Sequence, residues 1–311
     1  MNLNRVYFFA LGVVVMASCS SNNEVEIATN SVAKEINLAA GIEAMSARAA
    51  TNVLDTRFIV NNRLAIYINE VTSETPSVVY SQPMQYTVYD KNGNIKPTSE
   101  TVPYYPTSGN DVTIEAFYPY SAISPSGSYT FNTDQSESTG YQACDLMYAK
   151  VRGRNTSGAM NLSFKHLTSK ITFHLTTSDE NIILSSCRVK LLNVKRTTDI
   201  DPRNGTLAFA YGDTSEPILI SKDGSKDGSA VILPQTISAN TRFIEIELLT
   251  KEKVYGIMPT TYTFEPGTSY MFNIDVQVDR VASTLTLSDI QIVDWVDEYS
   301  APQEIEGERT N

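Results

Sequence analysis

The sequence is poor in the residues that most often carry chemistry. It holds two histidines, three cysteines and one tryptophan in 311 residues. A structural zinc site takes four tetrahedral ligands. His166 and His174 would need further partners that no spacing supplies, so neither a metal nor a cofactor is expected. A hydrogen-bonded, structural His166 at a strand start is the favoured reading. Positive charge is short as well. The 24 Lys and Arg against 35 Asp and Glu leave a net charge of -11. Nothing here neutralises a run of phosphates, which excludes nucleic acid as a partner. No G-x-S-x-G elbow and no glycine-rich phosphate loop occurs. Carboxylates are abundant enough for a glycosidase-type pair, yet nothing marks one pair over another. No catalytic residue is assigned, and an enzyme is not expected.

Long apolar runs are missing too. The longest, Val6 to Val15, is too short to span a bilayer's hydrocarbon core. It follows Asn2, Asn4 and Arg5 and precedes Met16-Ala17-Ser18-Cys19. A charged start, a short apolar stretch and small residues read together as a signal peptide over residues 1–18. A cysteine directly after small residues resembles a bacterial lipobox, with Cys19 the lipidated first residue of the mature chain. The alternative is an ordinary secretory signal that happens to contain Cys19. Either way the protein works outside the cytoplasm. Cys144 and Cys187 then form one disulfide or stay as two buried thiols; spacing alone does not decide.

What the sequence has in quantity is Thr, Ser, Tyr, Val and Ile, the residues of pleated, half-buried surfaces. Strand patterns recur at Leu64–Ile68, Tyr86–Tyr89, Val112–Phe117, Ile171–Leu175, Val189–Val194, Phe243–Leu248 and Tyr270–Val278. Turn residues separate them: Asp90-Lys91-Asn92-Gly93-Asn94, Asp201-Pro202-Arg203-Asn204-Gly205 and Glu265-Pro266-Gly267. Pro119 ends the Val112–Tyr118 ladder, because proline lacks an N–H to donate. Leu285 and Leu287 share one parity and Ile290 and Ile292 the other, which predicts a bulge near Ser288. No amphipathic helix longer than about two turns is evident.

Short strands with turns between them predict an all-β protein of two tandem antiparallel β-sandwich domains. Residues 19–57 carry the anchor, a polar spacer and a candidate removable N-terminal strand. Within them, 39–49 are small and weakly patterned and read as an exposed, cuttable segment. Residues 58–155 form the N-terminal domain and 156–311 the C-terminal domain with its polar tail. Arg152 to Gly158 is the linker candidate. The doubled Lys-Asp-Gly-Ser at 222–229 lacks the alternating oxygen ligands of a calcium loop and reads as a hairpin tip. His166 and His174, eight apart, share a face if one strand carries both.

Several segments in order resemble the fimbrillin family of Bacteroidales, particularly the Mfa-like fimbrillins. They are Asn62-Arg63-Leu64-Ala65-Ile66-Tyr67-Ile68, Val112 to Tyr120, Asp145-Leu146-Met147-Tyr148-Ala149 and Leu162 to Phe173. Leu233-Pro234-Gln235-Thr236, Phe264 to Ile274 and Trp295 complete the set. The resemblance implies transthyretin-like sandwiches and a role in surface fimbriae at the outer membrane. It also implies export as a lipoprotein, trimming after an arginine, and filling of the vacated groove by a donor strand from a neighbouring subunit. Partners would be other fimbrial subunits, the outer membrane through the lipid, and a host or bacterial surface ligand.

Arg48 and Arg57 stand at the place such trimming requires. Arg48 lies among Ser46, Ala47, Ala49 and Ala50 and is the easier cut, while Arg57 directly precedes a strand pattern. The stretch Ser300 to Asn311 has only Ile305 as a strong apolar residue, a poor donor strand. Leu285 to Trp295 either donates or completes its own domain, so a tip or anchor subunit is a natural reading. The rival from another class is a surface glycan-binding lipoprotein that stacks sugars on exposed aromatics such as Tyr104 and Tyr105.

Overall fold

From Met160 to His166, every second side chain is buried and those between are exposed, the signature of a strand with one face on a core. The same logic runs through the chain. The computed structural model describes residues 34–43, 57–72, 77–78, 82–123, 127–209, 216–221, 225–277, 284–286 and 290–293. All belong to one unit, Ala33–Asn311.

The strands in order are β1 (Leu38–Ile42), β2 (Arg63–Glu70), β3 (Ser77–Val78), β4 (Met84–Val88), β5 (Ile95–Pro97), β6 (Val112–Tyr118) and β7 (Ser128–Thr130). A short helix, α1 (Ser138–Cys144), precedes β8 (Met147–Gly153), β9 (Met160–His166), β10 (Ser169–Thr176), β11 (Arg188–Leu191), β12 (Thr197–Ile200) and β13 (Leu207–Phe209). Next come β14 (Ile218–Ser221), β15 (Asp227–Ile232), β16 (Gln235–Ile237), β17 (Arg242–Glu247) and β18 (Lys253–Ile257). The last are β19 (Tyr262–Phe264), β20 (Ser269–Asp275), β21 (Thr284–Thr286) and β22 (Ile290–Val293).

Among the described residues the chain is all-β in architecture, with several packed sheets. One sheet takes the first part of the chain in the order β1-β9-β8-β6-β2-β4-β5, with β3 on β2. It curls until its two ends meet, because Ala39 bridges Asn94 just before β5. Its inside holds one apolar cluster, including Leu64, Ile66, Ile68, Val112, Ile114 and Phe164. The later part forms two facing sheets, β15-β10-β20-β22 and β14-β11-β17-β18-β21. A second cluster fills the space between them, around Phe173, Val189, Ile246, Phe264 and Phe272. Pairing is mostly antiparallel, but β1–β9, β10–β20 and β18–β21 run parallel.

The two halves are stitched together. A third cluster unites Ala65 and Phe117 of the first sheet with Ile200, Val231 and Leu233 of the second half. β7 pairs with β12 across the same seam. Gln135 reinforces it by acting as a piece of backbone. Its Nε2 donates to the Val231 carbonyl at 3.0 Å and its Oε1 accepts from the Val231 N–H at 2.9 Å. Pairing both groups matters, because a buried, unpaired main-chain group is costly.

Several local expectations change. Residues 38–42 are strand β1, with Leu38 and Ala40 buried, where an exposed stretch from 39 to 49 was expected. The pattern of small residues hid a strand, because Ala suits a close approach that bulkier side chains would block. Arg152 to Gly158, expected as a linker, lies at the turn from β8 into β9, two neighbours in one sheet. His166 and His174 do not share a strand. β9 ends at His166, and β10 starts at Ser169 in another sheet. The parity change expected as a bulge near Ser288 marks a change of sheet, since β21 pairs with β18 and β22 with β20. The stretch 121–140 contains β7 and the start of α1. Cys144 and Cys187 are both buried and free, one in the seam cluster and one in the C-terminal core.

Candidate functional site

Among the described residues β1 and β9 form the one parallel pair of their sheet, and the hydrogen bonds of β1 run to both sides. On one side it pairs with β9 from Leu38↔Met160 to Ile42↔Phe164. Met160 N–H donates to the Asn37 carbonyl at 2.9 Å, and Glu43 N–H to the Phe164 carbonyl at 2.8 Å. On the other side Ala40 N–H donates to the Gly93 carbonyl at 2.9 Å. Upstream, Ile36 N–H donates to Pro103 and Tyr105 N–H to Lys34, both at 2.9 Å. Residues 34–43 are thus the stave that closes the first sheet.

The side chains alternate to match. Ile36, Leu38 and Ala40 are buried in the N-terminal core, and Ile42 packs against it. Burying an Ile and a Leu contributes about 1.5–3 kcal/mol each as an upper range. A domain's whole stability is about 5–15 kcal/mol, so the groove does not tolerate standing empty. Opposite Ala40 the wall is Gly93, in the left-handed region at φ 79°. A Cβ on it would meet the Ala40 oxygen at 2.1 Å, so glycine is what lets the strand seat. Asp90 holds that turn by accepting from the N–H groups of Asn92 (2.9 Å) and Asn94 (3.1 Å). The Asn94 side-chain bond and these N–H groups together hold the Asp90 carboxyl below its ordinary range.

Of the two arginines singled out, Arg57 is described and exposed. The residue after it is the opposite. Phe58 is buried, with its ring 5.0 Å from Phe164 and 5.4 Å from Tyr118. Ile59 N–H and the Asn62 side chain fix the turn that follows at 2.8 Å. A protease cutting after Arg57 must therefore pull Phe58 out of the core first. Arg48 lies outside the described residues, as does Cys19. Both arginines follow β1 in the chain, so a cut at either separates β1 from the rest.

Other sequence candidates do not gather into a site. His166 Nδ1 lies 2.7 Å from Asp145 Oδ1, and Thr168 Oγ1 donates to the same oxygen at 3.3 Å. The trio is buried where β1, the Phe58 turn and β9 meet, beside a cavity of about 40 Å³. His166 is hydrogen-bonded there, as the sequence suggested, though at a strand end and not a start. His174 pairs with Asp227 at a distant edge. Among the described residues no group of three or more His, Cys, Asp or Glu is placed to hold a metal ion.

Tyr104 is exposed but its neighbour Tyr105 is buried and reaches the Met160 sulfur at 3.7 Å. Two other exposed rings, Tyr89 and Phe209, carry lysine ammonium groups over their faces. No sugar-stacking platform results from Tyr104 and Tyr105 together. Gln135 carries no local signal in the sequence; Gly93 was legible as a turn residue in Asn92-Gly93, but not its close approach to Ala40.

A family model described as fimbrillin-like matches residues 48–295. Among solved structures, the chain resembles a proposed cell adhesion protein of Bacteroides ovatus with TM-score 0.66 and 19% identity, covering 86% of this chain and 99% of that one. It also resembles a proposed cell adhesion protein of Bacteroides uniformis with TM-score 0.58 and 17% identity, covering 86% and 98%. At such identity the likeness establishes the fold. No curated protein matches the sequence.

Proposed function

Because the chain belongs to the fimbrillin-like family, we propose that it is a structural subunit of surface fimbriae in which β1 is removed and a partner's strand takes its place. The observation that carries this is the position of β1. It closes a sheet, lines one side of its core with alternating side chains, and precedes both candidate cut sites. A closing strand that leaves exposes a row of unpaired N–H and C=O groups beside an apolar slot. An extended segment from another subunit restores both the ladder and the side-chain contacts. The resulting joint has the main-chain bonding of a native sheet.

In this reading Cys19 carries the lipid that holds the subunit at the outer membrane until the cut is made. Arg48 is the cut site, since Phe58 would have to leave the core for a cut after Arg57. In this reading the boundary between the two halves lies at Leu167–Thr168, later than the expected 155/156, because β9 belongs to the first sheet and β10 to the next. The pairing of 284–286 and 290–293 with the chain's own β18 and β20 supports a subunit that receives a strand and keeps its own, as a tip or anchor would. The role in this reading is structural and adhesive, in keeping with the fimbrillin-like family.

The test is limited cleavage of the purified chain with an arginine-specific protease. The expected result is one shortened product beginning at Ala49, with elongated particles in negative stain once a donor subunit is added. Arg48→Ala abolishes the product, and Arg57→Ala leaves it. Products beginning at Phe58, or a cut protein that never assembles with any fimbrial subunit, would overturn the proposal.

A further inference from the structure

Ala40 and Gly41 are adjacent small residues of β1 in opposite surroundings. Ala40 is buried in the N-terminal core and Gly41 is exposed. We infer, on the strand-replacement reading, that position 40 decides which strands the slot accepts. The replacing strand carries alanine or glycine there, between large apolar residues at the positions of Leu38 and Ile42. The position of Gly41 accepts a bulky side chain.

The strictness at position 40 comes from both sides of the strand. Toward the turn, the main chain of Ala40 is pinned. Its N–H donates to the Gly93 carbonyl at 2.9 Å, and its carbonyl oxygen lies 2.1 Å from where a Cβ on Gly93 would stand. The turn is itself held. The Asp90 carboxylate accepts from the N–H groups of Asn92 and Asn94, and from the Asn94 side chain at 2.7 Å. Toward the core, Ala40 is in register with Leu162 of β9, and both belong to the same buried cluster. Protein interiors are close-packed, so added methylenes force neighbours off their rotamers or shift the backbone. A strand relieves such crowding by moving, and here the Gly93 contact bars the movement.

The flanking positions are built differently. Leu38 is in register with Met160, whose sulfur sits 3.7 Å from the Tyr105 hydroxyl. A thioether adapts to irregular gaps, so this wall suits more than one large aliphatic side chain. Ile42 borders the cavity of about 40 Å³ at the foot of the slot, together with Phe58, Tyr118 and Met147. A large side chain at that position gains contacts with this wall. At Gly41 a Cβ would meet nothing within 4 Å, and the backbone there is not in the left-handed region. A side chain at 41 therefore stands in solvent without strain. Read along β1, the slot asks for large at 36 and 38, small at 40 and large at 42, with 41 left open.

The test uses the chain cut after Arg48 and a fluorescein-labelled peptide of residues 34–43, competed by unlabelled variants of that peptide. Ala40→Leu is expected to compete about ten- to a hundredfold more weakly than the parent. Gly41→Val should compete no more weakly than the parent, since glycine loses the most freedom on ordering and valine favours a strand. The uncut full chain gives a second readout that needs no exchange: Ala40→Leu lowers the urea midpoint and Gly41→Val does not. Ala40→Leu competing as well as the parent would overturn the size rule and leave strand replacement standing. So would Gly41→Val weakening as much as Ala40→Leu, because bulk would then be rejected without regard to position. An uncut Ala40→Leu chain with the parent's urea midpoint would overturn it as well. Failure of the parent peptide to bind a cut chain that has lost its fragment would overturn strand replacement, and the size rule with it.

Discussion

The Ala40 N–H donates to the Gly93 carbonyl at 2.9 Å, and a methyl group placed on Gly93 would meet the Ala40 oxygen at 2.1 Å. The strand that closes the first sheet is therefore seated against a turn whose bare α-carbon makes room for it. Gly93→Ala should cost about 1–3 kcal/mol through the clash and the positive φ together. Urea unfolding measures the loss, and hydrogen exchange at Ala40 should rise with it. Unchanged exchange at Ala40 would mean that β1 does not depend on this contact.

Leu38→Ala removes the largest buried side chain contributed by β1. The expected cost is about 2–4 kcal/mol, from lost burial plus a residual cavity. In protein cut at Arg48 the same change should speed release of the N-terminal fragment, seen by mass spectrometry of the flow-through. A cut protein whose fragment leaves at the parent rate would show that Leu38 contributes little to seating.

Gln135→Leu leaves both the N–H and the carbonyl of Val231 without the partners they now have. The expected loss is about 2–4 kcal/mol, since each abandoned buried group costs about 1–3 kcal/mol. Loss of exchange protection at Val231, with β17 unaffected, identifies the seam as the place that gives way.

Alkali should loosen the same seam. Burial pushes the Cys144 thiol up to about 12 from an ordinary 9.0, and the Tyr129 and Tyr148 phenols up to about 12 from 10.0. The unfolded chain ionises these groups first and so holds fewer protons than the folded one above pH 9. Their contribution is whole below pH 9 and is lost as pH rises toward 12. Urea midpoints between pH 8 and 11 should fall, and Cys144→Ala should flatten the fall. At pH 8 both thiols should resist alkylation until the protein is unfolded, because only the thiolate reacts and both are buried.

Much of this architecture was legible where side chains alternate. Val112–Tyr118 and Ser169–Thr176 announce themselves by period and β-branched content, and Asn92-Gly93 announces its turn. β1 was not legible past Leu38. Ala39, Ala40 and Gly41 carry almost no periodic signal, and what makes them a strand is the space left by Gly93 and the edge left by β9. The parity break at 285–292 was visible but ambiguous, because a bulge and a change of sheet both shift the period by one. Which sheet each half joins depends on pairing partners far along the chain. For the candidate site, Arg57 was legible as a residue beside a strand. That Phe58 is buried beside Phe164 and Tyr118 is a tertiary fact with no local trace.

The most direct test of the central claim is strand capture. Chain cut after Arg48 is mixed with excess labelled peptide of residues 34–48, and bound label is followed by size exclusion beside uncut chain. The account predicts one peptide per cut molecule, replacing the original fragment, and none on uncut chain. A cut molecule that has shed its fragment and still takes up no peptide would contradict it, because the slot between β9 and Gly93 would then be one that no strand refills.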